Sequence, residues 1–360
     1  MLTYILRKIG YGLIVIFGVV TLVFFLFNIL PGDPARMMLG QRADKASIDI
    51  IHRDLGLDKP LSVQYLNYLN DLSPISFHSV KQTSNYYLDT TKYTNFTTLA
   101  KKGDSRVVLK KPYLRRSYQS KRNVSDILSE AFPNTIILSV AAITFAFITG
   151  VILGSFSSLY VNTWVDRLIQ FITSIGMSLP SFFAAIIIAW LFAFVLSDYT
   201  GLSMFGSLYV VDEMGEGEHL CLKNLILPAL TLGIRPLAVI IELTKSTLID
   251  VYSKDYIRTA KAKGLTNRQI IWRHALKNAL NPVITAVSGW FASLIAGAVF
   301  VEYIFDWKGV GVVIVDSLEK YDFPVVMGAL LVICILLVLI NIITDIIYGV
   351  LDPQIRIQNH

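Results

Sequence analysis

Residues 325–351 read VVMGALLVICILLVLINIITDIIYGVL, with Asp345 as the single charged residue of the run. Because an α-helix needs about 20 predominantly apolar residues to cross the hydrocarbon of a bilayer, this run predicts a transmembrane helix. Five earlier stretches meet the same criterion, namely Ile9 to Leu30, Thr135 to Tyr160, Leu168 to Leu196, Leu225 to Ile249 and Val283 to Tyr303. The chain is therefore predicted to be an all-α membrane protein with about six transmembrane helices.

The composition supports a membrane location. Apolar residues make up 54% of the 360 positions and charged residues only 16%, with a mean hydropathy of +0.57. A soluble protein carries about 25% charged residues. The net charge of +6 does not lie on a soluble face, so we predict no nucleic-acid partner. The first apolar run is longer than the apolar part of a secretory signal, and we expect it to be retained as a membrane span.

The distribution of basic residues predicts the orientation of the chain. Arg7 and Lys8 precede the first span, and residues 250–282, here called the basic loop, contain seven basic residues and two acidic ones. The short loops on the opposite side, residues 197–224 and 304–324, carry few basic residues. Since short loops rich in Lys and Arg stay on the cytoplasmic side, both termini and the basic loop are predicted to be cytoplasmic.

This orientation divides the chain into four predicted regions. Residues 1–30 form the first transmembrane helix, residues 31–133 an external region, residues 134–351 a five-helix core that contains the basic loop, and residues 352–360 a cytoplasmic tail. The external region includes an insertion, residues 73–111, in which polar and aromatic residues alternate irregularly. Recurrent aromatic residues argue against disorder. The insertion is either a small external subdomain or an ordered loop, and the sequence leaves both open.

The basic loop has the pattern of two short helices joined by a glycine turn. Ser253 is placed to cap a helix over Tyr256 to Lys263, and Gly264 is placed to end that helix in the left-handed conformation. Thr266 and Gln269 have the spacing of a capping box, which predicts the start of a second helix. The loop thus predicts a helix, a turn and a helix at the membrane surface.

Two interpretations of the basic loop remain open on spacing alone. A short helical hairpin joined directly to two membrane spans suits docking onto a cytoplasmic partner protein. A basic amphipathic hairpin could equally lie on anionic lipid, with its charges serving only the topology. Pro282 follows the loop and is expected in the first turn of the next span.

The fourth span contains three ionisable residues, Arg235, Glu242 and Lys245. An ionised side chain at the centre of a bilayer costs at least about 2.5–3.5 kcal/mol on insertion scales, so these groups must face protein, water or the interface. Glu242 and Lys245 are three positions apart and are predicted to pair on one face of the helix. Alternatively, Arg235 and Glu242 line a translocation path.

Motifs of the common enzyme classes are absent from the sequence. The chain has no phosphate-binding loop, no zinc-protease motif and no serine-hydrolase elbow. We therefore predict no catalytic residues, no metal site and no bound cofactor in this chain. An intramembrane enzyme is a remote alternative, because it would need a nucleophile and a base at matching depth inside the spans.

Two parts of the basic loop resemble a known family. Residues 255–265 read DYIRTAKAKGL and residues 273–280 read RHALKNAL, and both resemble the coupling loop of ABC-importer permeases, most closely the branch that serves oligopeptides and dipeptides. Where the general pattern has an acidic residue and two alanines, this chain has Arg258-Thr259-Ala260, and the acidic residue is missing, as is usual in that branch. The resemblance implies an ATPase contact formed by Asp255, Arg258, Thr259, Ala260, Gly264, Leu265, Arg273, His274, Leu276 and Asn278.

The resemblance continues along nearly the whole chain. Further matching motifs are PGDPA at 31–35, LGLDKP at 55–60, SLPSF at 178–182, LPALTLG at 227–233, EYIF at 302–305, GVG at 309–311 and YGVLDP at 348–353. The chain departs from the pattern at Lys308, where the family usually has proline, and only Arg116-Ser117-Tyr118 is similar to a segment that precedes the second span. About forty residues between Asp71 and Pro112 have no counterpart in the usual pattern.

The resemblance implies a function as well as a fold. It implies one permease subunit of an ATP-driven importer that carries peptides across the bacterial plasma membrane, with nickel, glutathione or an oligosaccharide as alternative cargo. It also implies four kinds of partner: a second homologous permease, two cytoplasmic ATPases that hold ATP and magnesium, an external substrate-binding protein, and membrane lipid.

Overall fold

The computed structural model of the chain describes residues 2–29, 44–46, 48, 49, 52, 56–81, 84–90, 92, 93, 96–211 and 217–351. Helices account for most of these residues, and the named strands form two small sheets. The motif at residues 31–35 and the predicted tail, residues 352–360, lie outside the described residues.

The helices and strands follow the chain in this order. The helices are α1 (Leu2–Ile29), α2 (Leu61–Leu72), α3 (Val124–Leu159), α4 (Trp164–Ser178), α5 (Ser181–Ile188), α6 (Ser197–Thr200), α7 (Lys223–Tyr252), α8 (Asp255–Ala262), α9 (Asn267–Ile270), α10 (Leu276–Gly297), α11 (Val299–Phe305), α12 (Val310–Glu319) and α13 (Phe323–Leu351). Two π-helical turns, Ala189–Val195 and Ile271–Ala275, continue α5 and α9. The strands are β1 (Ile75–Ser79), β2 (Thr97–Lys102), β3 (Ser105–Leu109), β4 (Tyr209–Val211) and β5 (Glu218–Leu220).

The membrane-crossing helices agree with the predicted number of spans. Five helices of the described chain are long and apolar enough to cross a bilayer, namely Leu6–Asn28, Val124–Leu159, Lys223–Tyr252, Arg268–Gly297 and Phe323–Ile346. A sixth crossing results if Trp164–Ser178 and Ser181–Val195, which are bent by 115° at the break between them, count as one span. The all-α membrane fold with about six spans is therefore confirmed.

The bend in the third span has a local cause. Leu179 separates α4 from α5 with an extended ψ of 130°, and Pro180 follows it with a φ of −59°. A proline disfavours helical geometry in the residue before it, because its ring clashes with that residue's backbone. The apolar run that predicted one span from Leu168 to Leu196 is thus two helices at an angle, and the SLPSF motif lies at the bend.

The second span begins earlier than its hydropathy indicates. Helix α3 starts at Val124 rather than at Thr135, and it contains Pro133. Residues 124–134 include charged and polar side chains, so an apolar count cannot detect this first part of the helix.

The chain forms two compact units. The larger unit consists of Met1–Ile9, Ala131–Val312 and Leu336–His360. One of its cores is built around Trp307, Phe305 and Leu138, which are almost completely buried. A second core packs α7 against the helices of the basic loop.

The smaller unit consists of Gly10–Glu130 and Val313–Ile335. Its core is aromatic, with the buried Phe24 ring stacked on Tyr68 at a centroid distance of 5.5 Å. The insertion belongs to this unit and contains an antiparallel sheet of strand order β1-β3-β2. Val108 of β3 is buried against Leu88 and Tyr93. The described residues of the insertion therefore form an ordered sheet with a small core.

Candidate functional site

The first helix of the basic loop begins without the predicted cap. Helix α8 starts at Asp255, and Lys254 occupies the position before it with no side-chain hydrogen bond to the helix. The prediction that Ser253 caps this helix is wrong, because its hydroxyl donates to the Asp250 carbonyl at 2.7 Å. Helix α7 continues to Tyr252, so Ser253 lies in the turn that ends α7 rather than at the start of α8.

The glycine turn is confirmed. Gly264 has a φ of +79°, its N–H donates to the Lys261 carbonyl at 2.9 Å, and the N–H of Leu265 donates to the Ala260 carbonyl at 3.3 Å. This pair of bonds is the Schellman motif, which requires a residue in the left-handed conformation after the helix. A side chain at Gly264 would meet no atom within 4 Å, so glycine is needed here for its backbone rather than for space.

The second helix of the basic loop continues directly into the fifth span. The Gln269 side chain accepts the Thr266 N–H at 3.0 Å and the Thr266 hydroxyl accepts the Gln269 N–H at 3.4 Å, which confirms the capping box. From Arg268 to Gly297 the chain forms one helical span. Pro282 therefore lies inside α10 and not in a first turn, contrary to the prediction. The second helix of the basic loop and the fifth span therefore form one continuous helical segment.

The ten predicted coupling residues divide into an outer and an inner group. Ala260 and Leu276 are buried in the core that joins the loop to α7, and Leu265 and His274 are half-buried. The other six residues are exposed, namely Asp255, Arg258, Thr259, Gly264, Arg273 and Asn278. The inner group holds the loop against its own chain, whereas the outer group is accessible to a partner.

Two exposed aromatic residues that were not predicted from the sequence extend this outer surface. Trp272 is 57% exposed and Tyr256 is 43% exposed. The Asn278 amide donates to the Tyr256 hydroxyl at 3.0 Å, which links α8 to α10. Large exposed aromatic side chains are typical of protein contact surfaces. Their signal in the sequence was weak, because an aromatic residue in an apolar chain is expected to be buried.

Lys245 has a different partner from the one predicted. Its ammonium lies 2.6 Å from the Asp166 carboxylate, and both side chains are largely buried. Asp166 also accepts the Ser157 hydroxyl and, at 3.0 Å, the backbone N–H of Asn162. The predicted pair of Glu242 with Lys245 is wrong, because Lys245 turns toward the start of α4 while Glu242 is exposed.

We expect Lys245→Met to lower the free energy of unfolding of the chain by about 2 kcal/mol, because it removes a charged hydrogen bond from a buried carboxylate. Thermal unfolding of the detergent-purified chain measures this change. Lys223→Met, at the exposed start of the same helix, is the matched control and should have little effect. A double variant that adds Asp166→Asn should recover part of the loss. Equal stability of the Lys245 and Lys223 variants would contradict the role of the pair.

The structure separates the two residues proposed for a translocation path. Arg235 lines a cavity of about 60 Å³ whose walls come from α4, α5, α7 and α10. The lining includes Gly176 of α4 and Trp290 of α10. Glu242 lies about two turns further along α7 and does not line this cavity. Only Arg235 lines this cavity, and a path role stays a prediction for both residues.

The EYIF and GVG motifs form one buried contact. Glu302 is fully buried, and its carboxylate accepts the Gly311 N–H at 2.6 Å. A Cβ at Gly311 would lie 2.5 Å from the Val299 Cα, and a Cβ at Gly309 would overlap with the Glu302 carboxylate. The two glycines are needed because the chain folds back tightly onto the Glu302 side chain.

Asp322 is a further structural carboxylate that the sequence did not reveal. It accepts the Tyr118 N–H at 2.8 Å, the Gln119 N–H at 3.4 Å and the Ser117 hydroxyl. Its side chain is buried within the smaller unit. The Arg116-Ser117-Tyr118 segment thus anchors the chain before α3 to the turn before α13.

Comparison with known families gives two matches that together span most of the chain. Residues 146–357 match the family described as the binding-protein-dependent transport system inner membrane component, and residues 1–86 match the N-terminal region described for such membrane components.

Curated relatives match over their full length. A di/tripeptide transport system permease of Pseudomonas aeruginosa is 33% identical over 99% of this chain and 100% of the relative. A dipeptide transport system permease of Alkalihalophilus pseudofirmus is 34% identical over the same shares. A glutathione transport system permease of Escherichia coli K12 is 31% identical over 99% of each chain.

Among solved structures, an inward-facing form of the MetNI methionine ABC transporter has a similar fold. The TM-score is 0.51 at 17% identity, and the match covers 63% of this chain and 97% of that one. The predicted resemblance is therefore confirmed: the chain belongs to the family of binding-protein-dependent transport system inner membrane components, the multi-pass permease subunits of ABC importers.

Proposed function

We propose that this chain is a permease subunit of an importer for short peptides. The observation that carries the proposal is the full-length similarity to di/tripeptide and dipeptide permeases at 33% and 34% identity. The glutathione permeases at 31% identity make glutathione, itself a modified tripeptide, the second candidate cargo. Nickel and oligosaccharides remain alternatives that rest on the resemblance alone.

The proposed assembly follows from the family. This chain pairs with a second homologous permease around a central path in a bacterial inner membrane, and an external binding protein delivers the peptide. Two ATPases bind the cytoplasmic faces of the permeases and hold the ATP and magnesium. Both termini and the basic loop lie on that cytoplasmic side, as the distribution of basic residues predicts.

The basic loop is proposed to transmit the ATPase movement to the membrane. Its exposed surface offers Arg258, Arg273, Tyr256 and Trp272 to a partner. Its second helix is continuous with the fifth span, so a displacement of the loop moves that span as well. Closure of the ATPases on ATP would then favour one of the two conformations of the path, as alternating access requires.

Peptide uptake by the reconstituted transporter tests the function. Proteoliposomes that contain both permeases and both ATPases, with the binding protein outside and ATP inside, should accumulate a labelled tripeptide. Unlabelled dipeptide should compete, and glutathione should compete weakly. Uptake of glutathione without uptake of any unmodified peptide would favour the second candidate. Uptake of neither would contradict the proposal.

The energy source gives a separate prediction. We expect the purified chain to show no saturable ATP binding, since the sequence has no phosphate-binding loop. Equilibrium binding of a fluorescent ATP analogue measures this, with the assembled transporter as the positive control. Saturable binding by the isolated chain at micromolar concentration would contradict the assignment of ATP to the partner subunits.

A further inference from the structure

The smaller unit contains a polar cavity that no part of the proposed transport cycle uses. Its volume is about 520 Å³, and its walls come from α2, β1 and the segments around Tyr86 and Arg116. Ligand sites for small molecules usually measure about 300–1,000 Å³. The cavity therefore has the size of a binding site for a small molecule.

The charges around this cavity favour an anion. Among the described residues, the lining contains one carboxylate, that of Asp71, and five cationic side chains, namely Lys59, Lys92, Arg115, Arg116 and Lys121. The Asp71 carboxylate is already occupied, because it accepts the Tyr93 hydroxyl at 2.7 Å and lies 3.6 Å from the Arg115 guanidinium. With Arg115 paired to Asp71, four cationic side chains of the described lining are left to attract a negatively charged group.

A buried histidine forms part of the wall of the cavity. His78 is 3% exposed and lines the cavity. Its Nε2 lies 3.0 Å from the Ser76 hydroxyl, and backbone groups of Tyr86 and Tyr87 lie within hydrogen-bonding reach of the ring. His78 is therefore held in place by its own chain and gives this wall a fixed shape.

The backbone around the cavity is strained at two of its cationic residues. Arg115 has a φ of 68° and Lys121 a φ of 59°, the left-handed region that side chains other than glycine adopt rarely. Such residues occur preferentially at binding sites, where the surrounding structure maintains an unfavourable backbone to position a side chain. Both residues contribute a cationic side chain to the lining of the cavity.

We propose that this cavity binds a short peptide through its terminal carboxylate. A guanidinium group such as that of Arg116 matches a carboxylate in bidentate geometry. Tyrosine rings, including those of Tyr86, Tyr87 and Tyr113, line the rest of the cavity and offer apolar surface to the peptide side chains. An inorganic anion would use only a small part of this volume. The choice of a peptide rests on the proposed function.

Binding to the full chain in lipid nanodiscs tests the site, with calorimetry as the measurement and trialanine as the probe. Trialanine should bind saturably, and trialanine amide, which lacks the carboxylate, should bind roughly tenfold more weakly or worse. Inorganic phosphate should compete poorly. Equal binding of the amide, equal competition by phosphate, or no binding of trialanine would each overturn the proposal.

Charge variants distinguish this cavity from other peptide sites on the chain. Arg116→Gln and Lys121→Gln should each weaken trialanine binding about tenfold, the effect of one charged hydrogen bond. Lys102→Gln removes the same charge from an exposed position on β2 outside the cavity and should leave binding unchanged. Equal effects of Lys102→Gln and Arg116→Gln would overturn the assignment, because they would show only a general charge effect.

The uptake assay separates this inference from the proposed function. If the assembled transporter accumulates trialanine while the chain alone does not bind it, only the cavity assignment fails. If the transporter carries no peptide but the wild-type chain binds trialanine through Arg116, the proposed function fails and the site remains.

Discussion

Gly264→Val is expected to reduce peptide-stimulated ATP hydrolysis by the assembled transporter roughly tenfold or more, because a β-branched residue in the left-handed conformation costs about 1–3 kcal/mol. The φ of +79° at Gly264 closes the Schellman motif that ends α8. If valine forces this backbone out of the left-handed region, α8 loses its orientation relative to α10. ATP hydrolysis by the transporter in proteoliposomes, with and without the peptide-loaded binding protein, measures the coupling.

Gly264→Asn is the matched control for this prediction. Asparagine adopts the left-handed conformation more readily than other side chains, so this variant should retain most of the stimulation. A side chain at this position meets open space, so bulk alone cannot explain a difference between the variants. Unchanged stimulation with valine would contradict a coupling role for the loop. An asparagine variant as impaired as the valine variant would contradict the conformational explanation.

Features that depend on neighbouring residues could be predicted from the sequence. The spans follow from runs of apolar residues, the Gly264 turn from the backbone freedom of glycine, and the Thr266 to Gln269 capping box from a spacing of three residues. Each of these signals is complete within a few residues or within one helix. For the same reason, the bend at Leu179 and Pro180 could have been predicted from the proline, although an apolar count overlooks it.

Features that depend on distant residues could not be predicted. Lys245 pairs with Asp166, which is 79 positions away, rather than with the sequence neighbour Glu242. The sheet of the insertion pairs Ile75 with Leu109 across a long segment without a regular alternation of apolar residues. The peptide-sized cavity is lined by α2, β1 and the segment around Arg116, which are distant in the sequence. Its excess of positive charge is therefore evident only when these segments lie together in the fold. Tertiary contacts decide such sites, and hydropathy carries no information about them.

Gly311→Ala is expected to destabilise the chain by about 4 kcal/mol, as the sum of two effects. The added Cβ would lie 2.5 Å from the Val299 Cα, a backbone atom that cannot move without shifting α11. Overpacking of this kind costs about 1–3 kcal/mol. The shift also lengthens the 2.6 Å hydrogen bond from the Gly311 N–H to the buried Glu302 carboxylate, which adds about 1–3 kcal/mol. Thermal unfolding of the purified chain in detergent measures the loss.

Two further variants show whether the tight contact with Glu302 causes this loss. Gly289→Ala places the same methyl group on α10, where no atom lies within 4 Å, and it should leave stability nearly unchanged. Glu302→Gln keeps an oxygen that can accept the Gly311 N–H, so it should be milder than Gly311→Ala. If Gly311→Ala unfolds at the same temperature as Gly289→Ala, the EYIF and GVG motifs do not act through this contact. In that case another role must explain why these residues occur together in the chain.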